Sequence, residues 1–243
     1  MPGTIILAGG NEMRPGCKEM DERVLRDARS AGGAAARVVF LPTAVARHDP
    51  HGSGRGAVAY WGRLGAPCDV AMILTRADAD KAEYVHMIEG GALIYLGGGD
   101  PDALLDTLVG SAAWAAAVRA HERGAVLGGS SAGAMVVCAK TLLPGRRRSD
   151  ETPWVDGLGV VPDALVLPHY ATGRAAMARD LAARLTRDAS PTMAVLGIPE
   201  MSGLLGDGAT WEVVGPSSTT VFQSGSTRAY DRGDRIALGA AGA

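Results

Sequence analysis

The most informative part of this 243-residue chain is residues 126–137, with the sequence Val126-Leu127-Gly128-Gly129-Ser130-Ser131-Ala132-Gly133-Ala134-Met135-Val136-Val137. An apolar run ends in two glycines and two serines, and small residues then open a second apolar segment. This order predicts a strand, a sharp turn and a helix. Its centre, Gly129-x-Ser131-x-Gly133, is the nucleophile-elbow pattern, in which small neighbours let the backbone fold tightly beneath a serine hydroxyl. Ser131 is therefore the candidate nucleophile.

A glycine-rich turn of this kind also has simpler interpretations. Five-residue patterns occur by chance in a chain with 34 glycines, so an ordinary strand-to-helix turn or a phosphate-binding loop is the alternative. A P-loop ends in Gly-Lys-Ser/Thr, and no such ending is present. The predicted strand before the turn and the predicted helix Ala132–Ala139 after it favour the elbow.

Composition and charge narrow the classes of protein. With 243 residues, 47% of them hydrophobic, we expect one substantial core and a single domain over residues 1–243. A formal net charge of −2 gives no general attraction to nucleic acid or to anionic membranes, so neither is an expected partner. The three cysteines, Cys17, Cys68 and Cys138, lack the spacing of a disulfide framework or a zinc site, and we expect no metal or organic cofactor.

The N-terminus predicts a first core strand rather than a signal peptide, because it lacks a basic start and its apolar run is short. No apolar stretch approaches the ~18 to 20 residues that a membrane span needs. We therefore expect a soluble protein in the reducing cytoplasm. The oligomeric state stays open, with a homodimer as one alternative.

Short apolar runs alternate with helical patterns through the first two hundred residues, which predicts βαβ units and a mainly parallel sheet. The expected strands of this part are Ile5–Ala8, Arg37–Leu41, Asp69–Leu74, Ala92–Leu96, the elbow strand and Ala164–Leu167. The expected helices are Glu19–Ala31, Ala57–Leu64, Lys81–Glu89, Asp102–Leu108, Ala112–Arg123, the elbow helix ending near Lys140, and Thr172–Arg187. Residues 144–156 are expected to form a polar loop.

From Met193 the periodicity changes to short strands without helices between them. The expected strands are Ala194–Ile198, Gly203–Leu205, Thr210–Val214, Thr219–Gln223 and Thr227–Tyr230. This pattern predicts a C-terminal β-meander. Residues 237–243 are expected to form a frayed tail.

A second glycine cluster, Gly97-Gly98-Gly99-Asp100, directly follows the predicted strand Ala92–Leu96. Ligands of open parallel sheets bind at the carboxyl ends of the strands, so we expect this turn and the elbow to meet over one site. Acyl transfer needs backbone N–H donors aimed at the oxyanion. The candidate donors are the amide of Ala132 and that of Gly98 or Gly99.

A serine nucleophile needs a base, and the base needs an orienting group. Only His169 directly follows a predicted strand; Glu200 has the same placement after Ala194–Ile198. The other histidines lie in predicted helices or a polar loop and are His48, His51, His86 and His121. The competing carboxylates precede strands or begin turns and are Asp163, Asp207 and Glu212.

Together these segments resemble the serine peptidases that include dipeptidase E and cyanophycinase. The matching segments are, in order, Gly97–Asp100, Gly129–Ala134, His169-Tyr170 and Leu196–Glu200. The resemblance implies a three-layer α/β/α fold like that of the class I glutamine amidotransferases, with serine in place of their cysteine. It also implies that Ser131 is the nucleophile, His169 the base and Glu200 its orienting acid. In α/β-hydrolases, by contrast, the acid precedes the histidine.

The departures from these relatives concern the substrate. Cyanophycinases carry a glutamine and an Asp-Gln pair where this chain has Pro101 and Leu167-Pro168, which argues against cleavage of their Asp–Arg polymer. Dipeptidase E prefers an aspartyl N-terminal residue, whose carboxylate would need a cation. Our candidate substrate-binding residues are Asp100, Tyr170 and Arg174, and the loop carrying Arg146–Arg148 could fold over the site. A solvent-facing position is the alternative for these arginines.

The sequence thus predicts a serine hydrolase that cleaves small peptides, aspartyl or β-aspartyl ones among them, through an acyl-enzyme on Ser131. Two alternatives stay open. A divergent member could have lost its activity and serve as a small-molecule or protein-binding module, because the substrate residues of the relatives are missing. An amidase or esterase of the same fold is the other alternative.

Overall fold

The computed structural model describes residues 1–33, 36–143 and 153–238. The strands are β1 (Ile5–Ala8), β2 (Val38–Leu41), β3 (Cys68–Val70), β4 (Leu93–Leu96), β5 (Val126–Ser130), β6 (Lys140–Leu142), β7 (Trp154–Asp156), β8 (Ala164–Leu167), β9 (Ala194–Gly197), β10 (Gly203–Gly206), β11 (Thr210–Val214), β12 (Thr219–Gln223), β13 (Ser226–Tyr230) and β14 (Arg235–Ala237). The α-helices are α1 (Lys18–Gly32), α2 (Pro50–Arg63), α3 (Ala82–Glu89), α4 (Pro101–Leu108), α5 (Ala112–Glu122), α6 (Ala132–Val137) and α7 (Ala175–Asp188).

A sheet of eight strands, in the order β14-β11-β10-β1-β5-β4-β2-β3, forms the centre of the molecule. The five neighbouring strands β1, β5, β4, β2 and β3 are parallel to one another. The other three, β10, β11 and β14, run antiparallel to their neighbours. Every residue of β1, β2, β4 and β5 is buried. Both faces of these strands are thus covered, which explains why they appear in the sequence as continuous apolar runs.

Helices cover the two faces of this sheet. Successive side chains of a strand point to opposite faces, so Ile5 and Leu7 pack into one hydrophobic cluster while Ile6 packs into the other. The first cluster includes residues of α4, α5 and α6, and the second includes α1 and α2. This arrangement confirms the predicted α/β/α sandwich with a mainly parallel sheet.

Asp21 is a buried carboxylate between α1 and α2, and it gives a prediction about stability. Its Oδ2 accepts a hydrogen bond of 2.6 Å from the Tyr60 hydroxyl, and burial raises the pKa of Asp21 from 3.8 to about 7. The folded protein therefore holds this proton more tightly than the unfolded chain, so its stabilising effect is complete below about pH 4 and is lost as the pH rises through 7.

We expect Asp21→Asn to remove this pH dependence, because an amide does not ionise and still accepts from Tyr60. The free energy of unfolding in urea, measured at pH 5 and pH 8, should change in favour of the variant at the higher pH by up to ~2.6 kcal/mol, since about two pKa units of the shift lie between these pH values. The same difference between variant and wild type at both pH values would contradict the assignment.

A second, smaller sheet has the order β13-β12-β9-β8, with β8 and β9 parallel. Three backbone hydrogen bonds join its loops to the chain just after β1. The amide of Gly9 donates to Ser202 (2.9 Å), that of His169 to Gly9 (2.7 Å) and that of Met201 to Gly10 (2.9 Å). The loops that follow β8 and β9 therefore lie at the carboxyl end of β1.

The strands after residue 193 form as predicted, but they divide between the two sheets. β10 pairs antiparallel with β1 and, with β11 and β14, extends the large sheet; β12 and β13 join β9. The edge of β1 is thus occupied by β10, and β8 and β9 belong to the smaller sheet. The expected frayed tail is in part the strand β14, and residues 239–243 lie outside the described ranges.

Three local predictions were wrong. The third strand, expected over Asp69–Leu74, is Cys68–Val70 and ends before Ala71. Helix α2 begins at Pro50, not Ala57, because Asp49 caps it by accepting from the Gly52 amide (2.7 Å) and a proline fits the first helical position. The elbow helix ends at Val137, and the residues after it form β6, which pairs with β7 inside the expected polar loop. No described helix is by itself long and apolar enough to cross a bilayer; α4 and α5 together would qualify by length and composition, but they are bent by 92°.

Candidate active site

Ser131 occupies the turn between β5 and α6, with φ 49° and ψ −113°. A residue with a side chain rarely adopts this conformation. The turn is packed against β4, since a Cβ added at Gly129 or Gly133 would lie 2.2 Å from the carbonyl oxygen of Leu96. The two glycines of the elbow pattern are therefore required by the close approach of the neighbouring strand.

Three side chains predicted from the sequence meet at this turn. The Ser131 Oγ lies 2.9 Å from the His169 Nε2, and the His169 Nδ1 lies 2.8 Å from the Glu200 Oε1. The side chains of His169 and Glu200 are 43% and 48% exposed, so the group is open to solvent. The side-chain amide of Asn11 donates from Nδ2 to the Oε2 atom of Glu200 at 3.4 Å. This arrangement has the geometry of a nucleophile, a base and an orienting acid.

Gly10 provides the space in which the histidine ring lies. It has φ 119°, and a Cβ added there would lie 2.3 Å from the Cε1 atom of His169. His169 itself has φ 49°, and its amide donates to Gly9. The position of the ring thus depends on the bare backbone that follows β1.

We expect Gly10→Ala to lower kcat/KM by roughly 100-fold, because the methyl group would displace the ring by about an ångström. The matched control is Gly233→Ala, at φ 87° with no atom within 4 Å of its added Cβ, which introduces a similar backbone penalty without the contact. Steady-state kinetics and thermal unfolding of both variants separate the two effects. Equal loss of activity in both would contradict this role of Gly10.

Backbone strain is concentrated at this site. Among the described residues, six residues other than glycine have positive φ. Two of them belong to the Ser131–His169–Glu200 group and three more lie in the loops that follow β1 and β9. These five are Asn11, Met13, Ser131, His169 and Met201. Such conformations cost on the order of 1–3 kcal/mol each and persist where the surrounding structure imposes them. The clustering is a second reason to select this part of the molecule as the candidate site.

The predicted oxyanion donors lie on either side of the nucleophile. Ala132 begins α6, where a backbone amide has no acceptor within the helix. The turn after β4 approaches from the other side, since a Cβ added at Gly98 would lie 3.3 Å from the Cβ of Ser131. The Gly98 amide, however, donates to the Glu12 Oε1 at 2.8 Å. Of the two glycines predicted as alternatives, Gly98 thus already has an acceptor in the protein.

The three candidate substrate residues have different environments. Asp100 caps α4 by accepting from the Asp102 amide at 2.9 Å, and Tyr170 is buried with its ring edge-on to Phe222. Only Arg174 is exposed, with a guanidinium nitrogen 3.5 Å from the Pro168 carbonyl. Their contact with substrate stays a prediction. The segment with Arg146–Arg148 lies outside the described residues.

Sequence reasoning missed Asn11 and Glu12, which follow β1 and contact the site. The available signal was Gly9-Gly10, a third glycine pair at the end of a parallel strand. A cleft of about 500 Å³ lies between this loop and α2, and its lining includes Glu12, Arg14 and Arg63. Within the described ranges, no three His, Cys, Asp or Glu residues are grouped to hold a metal ion.

The known proteins that this chain resembles in sequence and fold are described as peptidases. The sequence model of a family described as Peptidase family S51 matches residues 4–214. The crystal structure of a peptidase from an acI-B1 Actinobacterium is similar over 98% of each chain, with a TM-score of 0.81 and 28% identity. The crystal structure of a putative peptidase E protein from Listeria monocytogenes EGD-e is similar over 92% of this chain and 99% of the Listeria chain. Its TM-score is 0.52 and its sequence identity 16%, so this similarity supports the fold alone. A search of curated proteins gave no match. The span of the family match includes every residue of the candidate site.

Proposed function

Because this chain belongs to peptidase family S51 and is a peptidase, we propose that it is a serine hydrolase that cleaves small peptides through an acyl-enzyme on Ser131. The family confirms the resemblance to dipeptidase E inferred from the motifs. The observation that carries the proposal is the pair of contacts from the Ser131 Oγ to His169 (2.9 Å) and from His169 to Glu200 (2.8 Å).

In the first step of the proposed reaction, the Ser131 Oγ attacks the carbonyl carbon of the scissile bond. Its proton passes to the His169 Nε2, which lies within hydrogen-bond reach. The Glu200 carboxylate accepts from Nδ1–H, which leaves Nε2 free to take the proton and stabilises the imidazolium that forms. Asn11 in turn donates to the Glu200 carboxylate and limits its movement.

The tetrahedral intermediate places a negative charge on the former carbonyl oxygen. We assign its stabilisation to the amides of Ala132 and Gly99, since Gly98 already donates to Glu12. The carbon–nitrogen bond then breaks, and the leaving amine takes the proton from His169. Water attacks the acyl-enzyme with His169 again as the base, which releases the acid and restores the Ser131 hydroxyl.

The open triad and the adjacent cleft favour short, charged substrates. Arg14 and Arg63 add positive charge to the lining of the cleft, and Arg174 is exposed near the histidine. These cations support peptides with an acidic group, so aspartyl and β-aspartyl dipeptides are the first substrates to test.

A fluorophosphonate probe and a substrate panel test the proposal together. The wild-type protein should take up about one equivalent of probe, with the adduct on Ser131 by peptide mass mapping, and should hydrolyse members of a panel of Asp-X, β-Asp-X and neutral dipeptides. Labelling with turnover of esters or simple amides only would favour the amidase or esterase alternative. Absence of labelling would favour a chain that has lost its activity.

A further inference from the structure

Glu12 connects the glycine turn after β4 with the strand that carries the nucleophile. Its Oε1 accepts from the Gly98 amide at 2.8 Å, and its Oε2 accepts from the Ser130 hydroxyl at 2.9 Å. Ser130 directly precedes the nucleophile, and Gly98 directly precedes the oxyanion donor assigned above. One carboxylate therefore holds both neighbours of the reacting groups.

The anchor of Glu12 on β5 is rigid. Ser130 is fully buried, as is every residue of β5. Because a carboxylate only accepts, the Ser130 hydroxyl must donate to Glu12. Glu12 is thus anchored to a buried hydroxyl of the central sheet rather than to a surface group.

Backbone hydrogen bonds hold the two ends of the turn, from the Gly97 amide to Leu41 (3.1 Å) and from the Asp100 amide to Ala44 (2.8 Å), and Glu12 holds its middle. Residues 97–99 are all glycine, whose backbone has more accessible conformations than that of any other residue. A Cβ added at Gly98 would lie 2.9 Å from the Glu12 Oε1, so the carboxylate and the bare backbone fill the space beside Ser131. The Gly98–Gly99 peptide lies between the Gly97–Gly98 peptide, which Glu12 holds, and the Gly99–Asp100 peptide, whose N–H donates to Ala44 at 2.8 Å; loss of the carboxylate would release the first of these two supports.

We propose that Glu12 is a positioning residue for acyl transfer at Ser131: by accepting from Gly98 and Ser130, it fixes the Gly97–Gly98 peptide beside the nucleophile and so orients the adjoining peptide, whose Gly99 amide is the assigned oxyanion donor. This inference rests on the proposed function. The role depends on hydrogen-bond acceptance and not on the negative charge. A charge-based role, such as binding a substrate ammonium, makes the opposite prediction for an amide at this position.

The test compares Glu12→Gln, Glu12→Ala and the surface control Glu83→Ala. Two readouts are needed: the second-order rate of fluorophosphonate labelling, and kcat and KM on the best dipeptide of the panel. Glu12→Ala should lower the labelling rate and kcat by ~100-fold with KM within about 3-fold, as for loss of an oxyanion donor. Glu12→Gln should stay within about 3-fold of wild type in both, because its oxygen still accepts from Gly98 while its NH₂ group donates to a reoriented Ser130 hydroxyl.

Ser130→Ala provides a second test in case the Glu12→Ala variant does not fold. It removes only one of the two anchors and should slow labelling by about 10-fold with KM unchanged, as loss of about 1.4 kcal/mol of transition-state stabilisation does. Normal labelling of a folded Glu12→Ala protein would overturn the inference, and so would normal labelling of Ser130→Ala if Glu12→Ala does not fold. Equal losses in Glu12→Gln and Glu12→Ala, or a loss confined to KM, would overturn it in favour of charge recognition.

Failure of the proposed function gives a different result. A wild-type protein that is not labelled at Ser131 would overturn both proposals together. A labelled wild type whose Glu12 variants react equally fast would overturn only the role of Glu12.

Discussion

Ser131→Ala is expected to reduce kcat by roughly 10⁴- to 10⁶-fold, the scale found when a catalytic triad loses its nucleophile. The substitution removes only the Oγ atom, whose described contact is with His169. Alanine keeps the Cβ and therefore the same backbone preference at φ 49°, so the turn and its packing against β4 should be preserved. The residual rate would come from the Ala132 and Gly99 amides acting on bound substrate.

The measurement is single-turnover hydrolysis of the best dipeptide together with fluorophosphonate labelling, in protein whose thermal unfolding matches wild type. Ser226→Ala, on the exposed strand β13, serves as the serine control. Turnover in Ser131→Ala within about 10-fold of wild type would exclude an acyl-enzyme on this residue. Labelling that persists at another serine would place the nucleophile elsewhere.

His169→Ala is expected to cause a loss of similar size, because no base would then take the proton of Ser131. Residues of one triad act as a unit, so the double variant Ser131→Ala/His169→Ala should lose little more than either single variant. Additive losses would show that the two residues act independently. That outcome would contradict the mechanism.

The matched control for the histidine is His86→Ala, whose side chain is 79% exposed on α3. Its kcat/KM should equal that of wild type. The labelling rate of His169→Ala distinguishes loss of the base from loss of substrate binding, since the probe makes few contacts outside the triad and the oxyanion donors. A normal labelling rate with reduced peptide turnover would assign His169 to substrate binding instead.

The elbow could be predicted from the sequence because its determinants are local. Gly129 and Gly133 are needed by the backbone of β4, which approaches both positions, and this need appears as a five-residue pattern. His169 and Glu200 were predictable for a related reason, since each directly follows a strand and the chain order matched a known family. The sequence around β8 and β9, by contrast, does not indicate which of the two sheets these strands join.

The sheet that β8 and β9 join depends on which strand pairs with the free edge of β1. β10 takes this edge through antiparallel pairs from Ile5↔Gly206 to Ala8↔Gly203, and short strands of similar composition give no sequence signal for the choice. Glu12 was missed for another reason. It lies in a loop without a motif, and its importance comes from Gly98 and Ser130, which are 86 and 118 positions away in sequence.

The start of helix α2 was mispredicted because two local sequence signals conflict there. Gly52 and Gly54 predict a loop, whereas Asp49 and Pro50 predict a helix start, and the cap prevails in the structure. The glycine at position 54 faces the Val70 side chain, 3.0 Å from an added Cβ. Packing against β3 therefore explains a glycine that looks like a helix breaker in the sequence.

The division of the triad between two sheets has a consequence for how the enzyme can be changed. Ser131, the proposed nucleophile, follows a strand of the large sheet, while His169 and Glu200 follow strands of the small one, and the backbone of Gly9 and Gly10 joins them. Substitutions in β12, β13 or α7 can thus alter the tilt of the base without touching the turn that carries Ser131. Directed evolution aimed at the small sheet could therefore change the turnover rate while the position of Ser131 is preserved.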